Sequence, residues 1–265
     1  MNCENVKALL TNPLFGNQVI CLDTVDSTNT YILKLAQDGA PEGTVVTAEY
    51  QTSGRGRMDR KWFSEREKNL LFSLLLRPEL SIDYVQKITL AVGYYLAESI
   101  EAYFKDHDLG PIRIDLKWPN DLLVDGKKVA GILVESILRD KKITALAIGC
   151  GVNVNAPLEE LPQKVRHNAV SLKALGGKEL DREKLMAEFL NRFAEAYERL
   201  ERTYYHNVVK MWKTRCKQFN QEVLIHTPDG EERAIFMDVN EDGYLIYKNS
   251  YGKLKRLVSG EVKCY

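Results

Sequence analysis

The chain is poor in cysteine and histidine, carries no excess of either charge, and contains neither a long apolar run nor an internal repeat. Each shortage removes a class of protein. Cys3, Cys21, Cys150, Cys216 and Cys264 are odd in number, scattered, and form no Cys-x-x-Cys pair. That pattern argues against a disulfide framework and against a zinc site, and suits a reducing, cytoplasmic compartment. His107, His167, His206 and His226 are equally dispersed. The 37 basic and 37 acidic residues cancel, which argues against a surface given over to nucleic acid or anionic lipid. No basic segment followed by an apolar run opens the chain, so no signal peptide is expected. No apolar stretch reaches the ~18 residues that suggest a membrane span, so no membrane association is expected.

What remains is an ordinary soluble composition, 45% hydrophobic and 28% charged. At 265 residues there is room for one core of roughly 150–200 residues and a small appended domain. Gln18 to Leu22 reads as a strand, and the polar cluster Asp26-Ser27-Thr28-Asn29 starts a helix that Gly39 and Pro41 end. Thr44 to Ala48 is β-rich, and Leu70 to Leu76 is an apolar run of strand length. Helical spacing follows from Asp83 to Phe104. Then come strands at Ile112 to Trp118 and Leu122 to Val124, an Asp125-Gly126 turn, and strands at Lys128 to Leu138 and Thr144 to Asn155. Asp181 to Lys217 reads as one helical stretch.

Beyond Gln218 the pattern changes. Turn signals at Pro228-Asp229-Gly230, Asn240 to Gly243 and Asn249 to Gly252 recur about every 11 residues, the spacing of a small barrel or sandwich. The chain therefore divides into residues 1–217, a mixed α+β body, and residues 218–265, a small β-domain.

Four segments carry chemistry. In Gln51-Thr52-Ser53-Gly54-Arg55-Gly56-Arg57-Met58-Asp59-Arg60-Lys61-Trp62, glycines allow close backbone approach and the arginines offer fixed forks for phosphate or carboxylate. It is no P-loop. A solvated basic loop, an active-site loop and a nucleic-acid contact all fit its composition. Lys117-Trp118-Pro119-Asn120-Asp121, followed by Lys128-Val129-Ala130-Gly131, could hold a nucleotide phosphate with its Mg²⁺, or could be a charged turn. Ser27, Thr28 and Asn29 read first as a helix cap, and a helix start can at the same time present donors to a small polar head. Gly149-Cys150-Gly151-Val152-Asn153 ends an apolar strand, and Cys150 reads as a buried small residue rather than a nucleophile.

Taken in order, these segments resemble the biotin–protein ligase family, from about Asp23 to Asn155 and more loosely into the C-terminal β-domain. The glycine–arginine loop, the Lys-Trp-Pro-Asn-Asp block and the Gly-Ile-Leu-Val-Glu strand at Gly131 to Glu135 are specific in combination. The resemblance implies an α+β fold: a domain like that of class II aminoacyl-tRNA synthetases and lipoate ligases, then an SH3-like barrel. It implies ATP-dependent activation of biotin to biotinyl-5'-AMP and transfer to a lysine of a biotin carboxyl carrier protein domain. By resemblance, Ser27, Thr28, Asn29, Gln51, Gly54, Lys128 and Gly131 line the biotin pocket, with Arg55, Gly56, Arg57 and Arg60 on a loop that closes over it. Lys117, Asn120, Asp121 and Asn153 serve the nucleotide, with Arg55, Arg57 and Arg60 reaching it and Trp62 near adenine. Asp121 is the candidate Mg²⁺ ligand, and Arg55, Arg57, Lys117 and Lys128 are the candidate catalytic cations.

Two departures stand out. The family loop commonly has glycine where this chain has Asp59. Some members also begin with a DNA-binding winged helix, whereas only about 20 residues precede the first strand here, so no DNA partner is expected. A homodimer is compatible with the family. Two rival functions share features of the sequence. A lipoate or octanoate ligase or transferase would share the architecture but lacks the arginine-rich loop in this form. A nucleic-acid-binding protein would use the basic loop, but has the zero net charge against it.

Overall fold

Leu70–Leu76 is the strand on which the fold is built. All seven residues of this β3 are buried, including the single polar one, Ser73. A strand covered on both faces lies mid-sheet, and β3 does. It pairs antiparallel with β2 (Val45–Gln51) on one side and β7 (Lys142–Val152) on the other. The computed structural model describes residues 1–265 except 141, 158, 160, 161, 204, 228, 229 and 265.

With β1 (Val19–Val25), β4 (Asp115–Lys117), β5 (Asp121–Val124) and β6 (Lys127–Arg139), these strands form a seven-stranded mixed sheet, order β1-β2-β3-β7-β6-β5-β4. Only the β1–β2 pair is parallel, joined by the crossover helix α3 (Thr28–Gln37). One face receives α3, whose Ile32 and Ala36 pack with Leu75, Ala145 and Ala147. The other receives the long helix α4 (Val85–Asp106) and, after the short α5 (Gln163–Arg166) and α6 (Leu172–Gly176), the long helix α7 (Arg182–Arg202), with Phe72, Phe189 and Phe193 among the rings between them. Asp125 and Gly126 both have positive φ, 48° and 76°, which closes the β5–β6 hairpin in two residues.

The helix expected from Asp181 to Lys217 is interrupted. It stops at Arg202 and resumes as a short helix, α8 (Val208–Lys213). The reason lies in packing. Tyr205, at φ 54°, is fully buried, and the turn it makes returns Val208, Val209 and Trp212 to the core. The strand expected from Ile112 shrinks to Asp115–Lys117.

The expectation about cysteine is also corrected. Two short N-terminal helices, α1 (Cys3–Leu9) and α2 (Pro13–Gly16), precede β1, and α1 packs against it, joining Cys3 to Cys21 in a disulfide with Cα atoms 5.7 Å apart. The 18-residue separation carried no sign of this, because only docking the helix on the strand brings the sulfurs together.

The last strands, β8 (Glu222–Thr227), β9 (Gly230–Val239), β10 (Leu245–Asn249), β11 (Leu254–Leu257) and β12 (Glu261–Cys264), make an antiparallel sheet, order β11-β10-β9-β8-β12. The turn predicted at Pro228-Asp229 lies outside the described residues. The fold class is therefore α+β, a mixed sheet with helices followed by a separate small β-sheet. This sheet seats firmly on the body: Trp118 Nε1 donates to Gly243 O at 2.9 Å, and Val223, Ile225 and Phe236 join the same core as Trp118 and Trp212. Among the described residues no helix is long and apolar enough to cross a membrane.

Candidate functional site

Two glycines of β7 decide where side chains can gather. A Cβ on Gly149 would collide with the Asn29 amide, and one on Gly151 would lie 2.5 Å from the Trp62 ring. Without those carbons the strand is a floor that other groups can approach closely. Over it opens a pocket. Ser27, Thr28 and Asn29 line it from the start of α3, Gln51 from the end of β2, and Arg55, Gly56, Arg57, Arg60 and Trp62 from the loop. Asn120, Asp121, Lys128 and Gly131 close it from β5 and β6.

One end of the pocket is built of hydroxyls and amides. Ser27 holds the N-cap position of α3, yet its side chain makes no capping bond. Gln51 Oε1 instead accepts from Thr28 N at 2.7 Å and from Thr28 Oγ1 at 3.1 Å. Capping by a distant residue leaves the Ser27 hydroxyl at the pocket rather than bound to its own helix. Asn29 is engaged throughout: Oδ1 accepts from Ser73 Oγ at 2.7 Å, while Nδ2 donates to Leu133 O at 3.1 Å and Glu135 Oε2 at 2.8 Å.

The arginine-rich loop is a small hairpin. Trp62 N donates to Gly54 O, Gly56 N to Arg60 O and Arg60 N to Arg57 O, so Met58 and Asp59 form its tip at φ 51° and 56°. Positive φ at both central residues is the habit of a tight hairpin turn, and it explains why glycine suits position 59. Aspartate is among the residues that tolerate this region best.

The opposite wall is cationic, and most of its charge is paired. Asp121 sits between two lysines, 2.5 Å from Lys128 Nζ and 3.5 Å from Lys117 Nζ. Burial alone would push the Asp121 carboxyl up. Lys128 and then Lys117 outweigh it and hold the group below its ordinary value of 3.8. Arg55 pairs with Glu135 at 2.9 Å, and Arg60 with Glu261 of β12. Among the described residues Arg57 forms no ion pair. It donates to Ser259 Oγ at 3.3 Å, and its Nε is buried without a partner. Burial draws the Arg57 pKa down from its ordinary value while Glu261 and Asp121 pull it back. A desolvated guanidinium without a carboxylate is a standing invitation to an anion.

Several predicted residues sit elsewhere. Gly54 lines an adjoining groove with Leu133, Glu135 and Ser259, close to the Gln51 amide. Lys117 reaches the pocket through Asp121. Asn153 is not among the lining residues. Its Nδ2 donates to Lys128 O at 3.3 Å and its N to Val129 O, so it props the strand that carries Lys128. Cys150 lies in the floor, its thiol pushed well up by burial and unsuited to nucleophilic attack.

Sequence reasoning missed Ser73, Glu135, Ser259 and Glu261. Ser73 had a visible signal as the one polar residue in an apolar strand, and Glu135 closes the Gly-Ile-Leu-Val-Glu block. Nothing marked Ser259 or Glu261, which arrive from the small sheet.

A glycine floor, a polar end and a cationic wall suit a site for a small acid beside a phosphate-bearing partner. The Biotin/lipoate A/B protein ligase family matches residues 21–153, and the chain belongs to that family. It is 29% identical over 254 residues to the bifunctional ligase/repressor BirA of Bacillus spizizenii, covering 96% of this chain and 76% of that protein. It is 30% identical over 234 residues to the biotin–[acetyl-CoA-carboxylase] ligase of Paracoccus denitrificans, covering 88% and 95%. The solved biotin protein ligase from Aquifex aeolicus in complex with biotin and ATP superposes with a TM-score of 0.77 at 29% identity, covering 94% of this chain and 99% of that one. The chain is a ligase enzyme with the α+β fold of biotin protein ligases.

Proposed function

We propose that this ligase joins biotin to AMP at the expense of ATP and passes the biotinyl group to a lysine of a biotin carboxyl carrier domain. One observation carries the reading. Arg57 and Lys128 come from separate segments and converge on one pocket, with Lys117 behind them on Asp121, and the far end of that pocket offers Ser27, Thr28 and Gln51. A carboxylate does not acylate an amine at neutral pH, because oxide is a poor leaving group. In the first step a biotin carboxylate oxygen attacks the α-phosphorus of ATP, the bond to the β-phosphate breaks, and pyrophosphate leaves. Two anions must meet, and preorganised cations lower that barrier most. In the second step the lysine amine attacks the acyl carbon, AMP leaves and the amine gives up a proton.

Within this scheme the polar end takes the ureido head of biotin, with Gly131 and Ile132 beside the apolar ring. Arg57, Lys117, Lys128 and Asp121 face the reacting acids, Asn120 and Trp62 serve the nucleotide, and Arg60 closes the loop over both. Mg²⁺ would accompany ATP. Among the described residues no cluster of three or more metal-binding side chains exists, so Asp121 would be its one protein carboxylate beside phosphate and water. That donor set fits a cation that brings its own phosphate ligands. Residues 1–217 hold most of this machinery, and residues 218–265 add Ser259 and Glu261.

The test is biotin-dependent exchange of labelled pyrophosphate into ATP, with lipoate and octanoate in parallel. Arg57→Ala and Lys117→Ala should each lower the biotin rate at least ~100-fold, about 2.7 kcal/mol of transition-state stabilisation. Loss below ~3-fold in folded variants removes these cations from the chemistry. Exchange with lipoate in place of biotin would assign the other substrate.

A further inference from the structure

Glu135 is a carboxylate to which the function above gives no role. It sits on β6 opposite Ala147, with its side chain about one-quarter exposed at 27%. One of its oxygens, Oε2, does two things at once. It accepts from Asn29 Nδ2 at 2.8 Å and from Arg55 NH2 at 2.9 Å. The same Arg55 nitrogen gives its second hydrogen to Thr30 Oγ1 at 3.1 Å, so the guanidinium is gripped from the sheet and from α3 together.

The two partners belong to different parts of the site. Asn29 belongs to the rigid floor: it is 3% exposed, it lies against Gly149, and both of its Nδ2 hydrogens are engaged, one by Leu133 O. Ser73 fixes which way the amide points, because Ser73 Oγ donates to Asn29 Oδ1 at 2.7 Å. Arg55 belongs to the loop, immediately inside its base, where it bridges Lys61 in antiparallel fashion. The loop bonds to itself at Gly54–Trp62 and Gly56–Arg60, and those bonds would travel with it if it lifted. Toward β6 and α3, the Arg55 guanidinium makes the polar contacts that hold this end down.

We infer that Glu135 is a positioning residue, a latch that fixes the closed loop to the pocket floor through Arg55 and thereby sets the grip on biotin. This rests on the biotin-activating reading. It also gives the loop arginines different roles. Arg55, neutralised by Glu135, holds the loop, whereas Arg57, with no ion pair among the described residues, meets the reacting anions. A latch acts on ligand capture and retention, while a countercharge acts on the chemical step.

The experiment compares wild type, Glu135→Gln, Arg55→Gln and the double variant. Biotin KM and kcat come from pyrophosphate exchange, and tryptic cleavage after Arg55 and Arg57 is followed with biotin and ATP bound. Each variant is read only where its thermal midpoint matches wild type. Glu135→Gln keeps an oxygen for Asn29 but loses the charge that holds Arg55. It should raise biotin KM about tenfold, leave kcat within about threefold, and speed cleavage in the loop. Arg55→Gln, at an exposed side chain where folding is safe, should do the same, and the double variant should be no worse than either single one. Wild-type KM and cleavage in both single variants, multiplying effects in the double variant, or a fall in kcat at unchanged KM would each overturn the latch. Failure of wild type itself to exchange pyrophosphate with biotin would instead refute the function on which it rests.

Discussion

Glu49 and Asp121 are held below the ordinary carboxylate range by the cations that reach them, and Glu49 shows the balance. Burial pushes its carboxyl up. The guanidinium of Arg182, 2.7 Å away, together with the N-terminal ammonium, outweighs burial and leaves the group below its ordinary value of 4.5. A folded pKa lower than the unfolded one means stability that is fully present above the unfolded value and lost as pH falls through the folded one. Glu49→Gln should therefore melt lower than wild type at neutral pH, and the gap should close in acid below the folded pKa. A gap that persists unchanged into strong acid would show that the pair contributes nothing through charge. Asp121 obeys the same rule in the pocket, where Lys128 and Lys117 outweigh burial. There the ionised carboxylate holds the Lys128 and Lys117 ammonium groups in place beside the pocket.

At the scale of elements, β7 does more than hold the sheet together. Its Gly149-Cys150-Gly151 segment is where the Asn29 amide and the Trp62 indole both come down onto backbone. Gly151→Ala would put a methyl where the indole ring lies, and the ring must move because the strand cannot. The expected outcome is a shifted Trp62 emission and a roughly tenfold higher KM for ATP, about 1.4 kcal/mol, with the fold intact by circular dichroism. Unchanged emission and KM would mean that Trp62 has no part in nucleotide binding. The loop carrying Trp62 is also an element in its own right. Asp59 at φ 56° occupies a position that glycine would fill with less strain, yet the turn closes.

At the scale of the whole molecule, the small sheet is part of the site rather than an appendage. Ser259 and Glu261 reach Arg57 and Arg60, and the Trp118 indole is buried with its N–H on Gly243 O. Trp118 lies within the Lys-Trp-Pro-Asn-Asp block, so the segment that supplies Lys117 and Asp121 is also the one that seats the sheet. Trp118→Phe would leave a buried carbonyl without its donor, at a cost of about 1–3 kcal/mol. Pyrophosphate exchange in that variant should fall at temperatures well below its melting point, because the sheet and the loop arginines lose register together. Full activity up to the melting transition would show that the sheet contributes only stability.

Residue chemistry left the Ser-Thr-Asn helix start, the glycine–arginine loop and the Lys-Trp-Pro-Asn-Asp block each open to a bland reading, and their resemblance in combination to a known family named most of the residues that line the pocket. The Leu70–Leu76 run marks itself as buried strand. Helical periodicity likewise located the long helix α4, and the Asp125-Gly126 turn signal the β5–β6 hairpin. Only the tertiary structure decided which charges face one another. The Glu135–Arg55, Glu261–Arg60 and Arg57–Ser259 contacts join residues 80, 201 and 202 positions apart. The Cys3–Cys21 bond, the break after Arg202 and the support that Asn153 gives Lys128 depend in the same way on how elements dock. Sequence pattern reports what a residue can do for its own helix or strand, whereas a long-range contact is settled by the packing of the whole core.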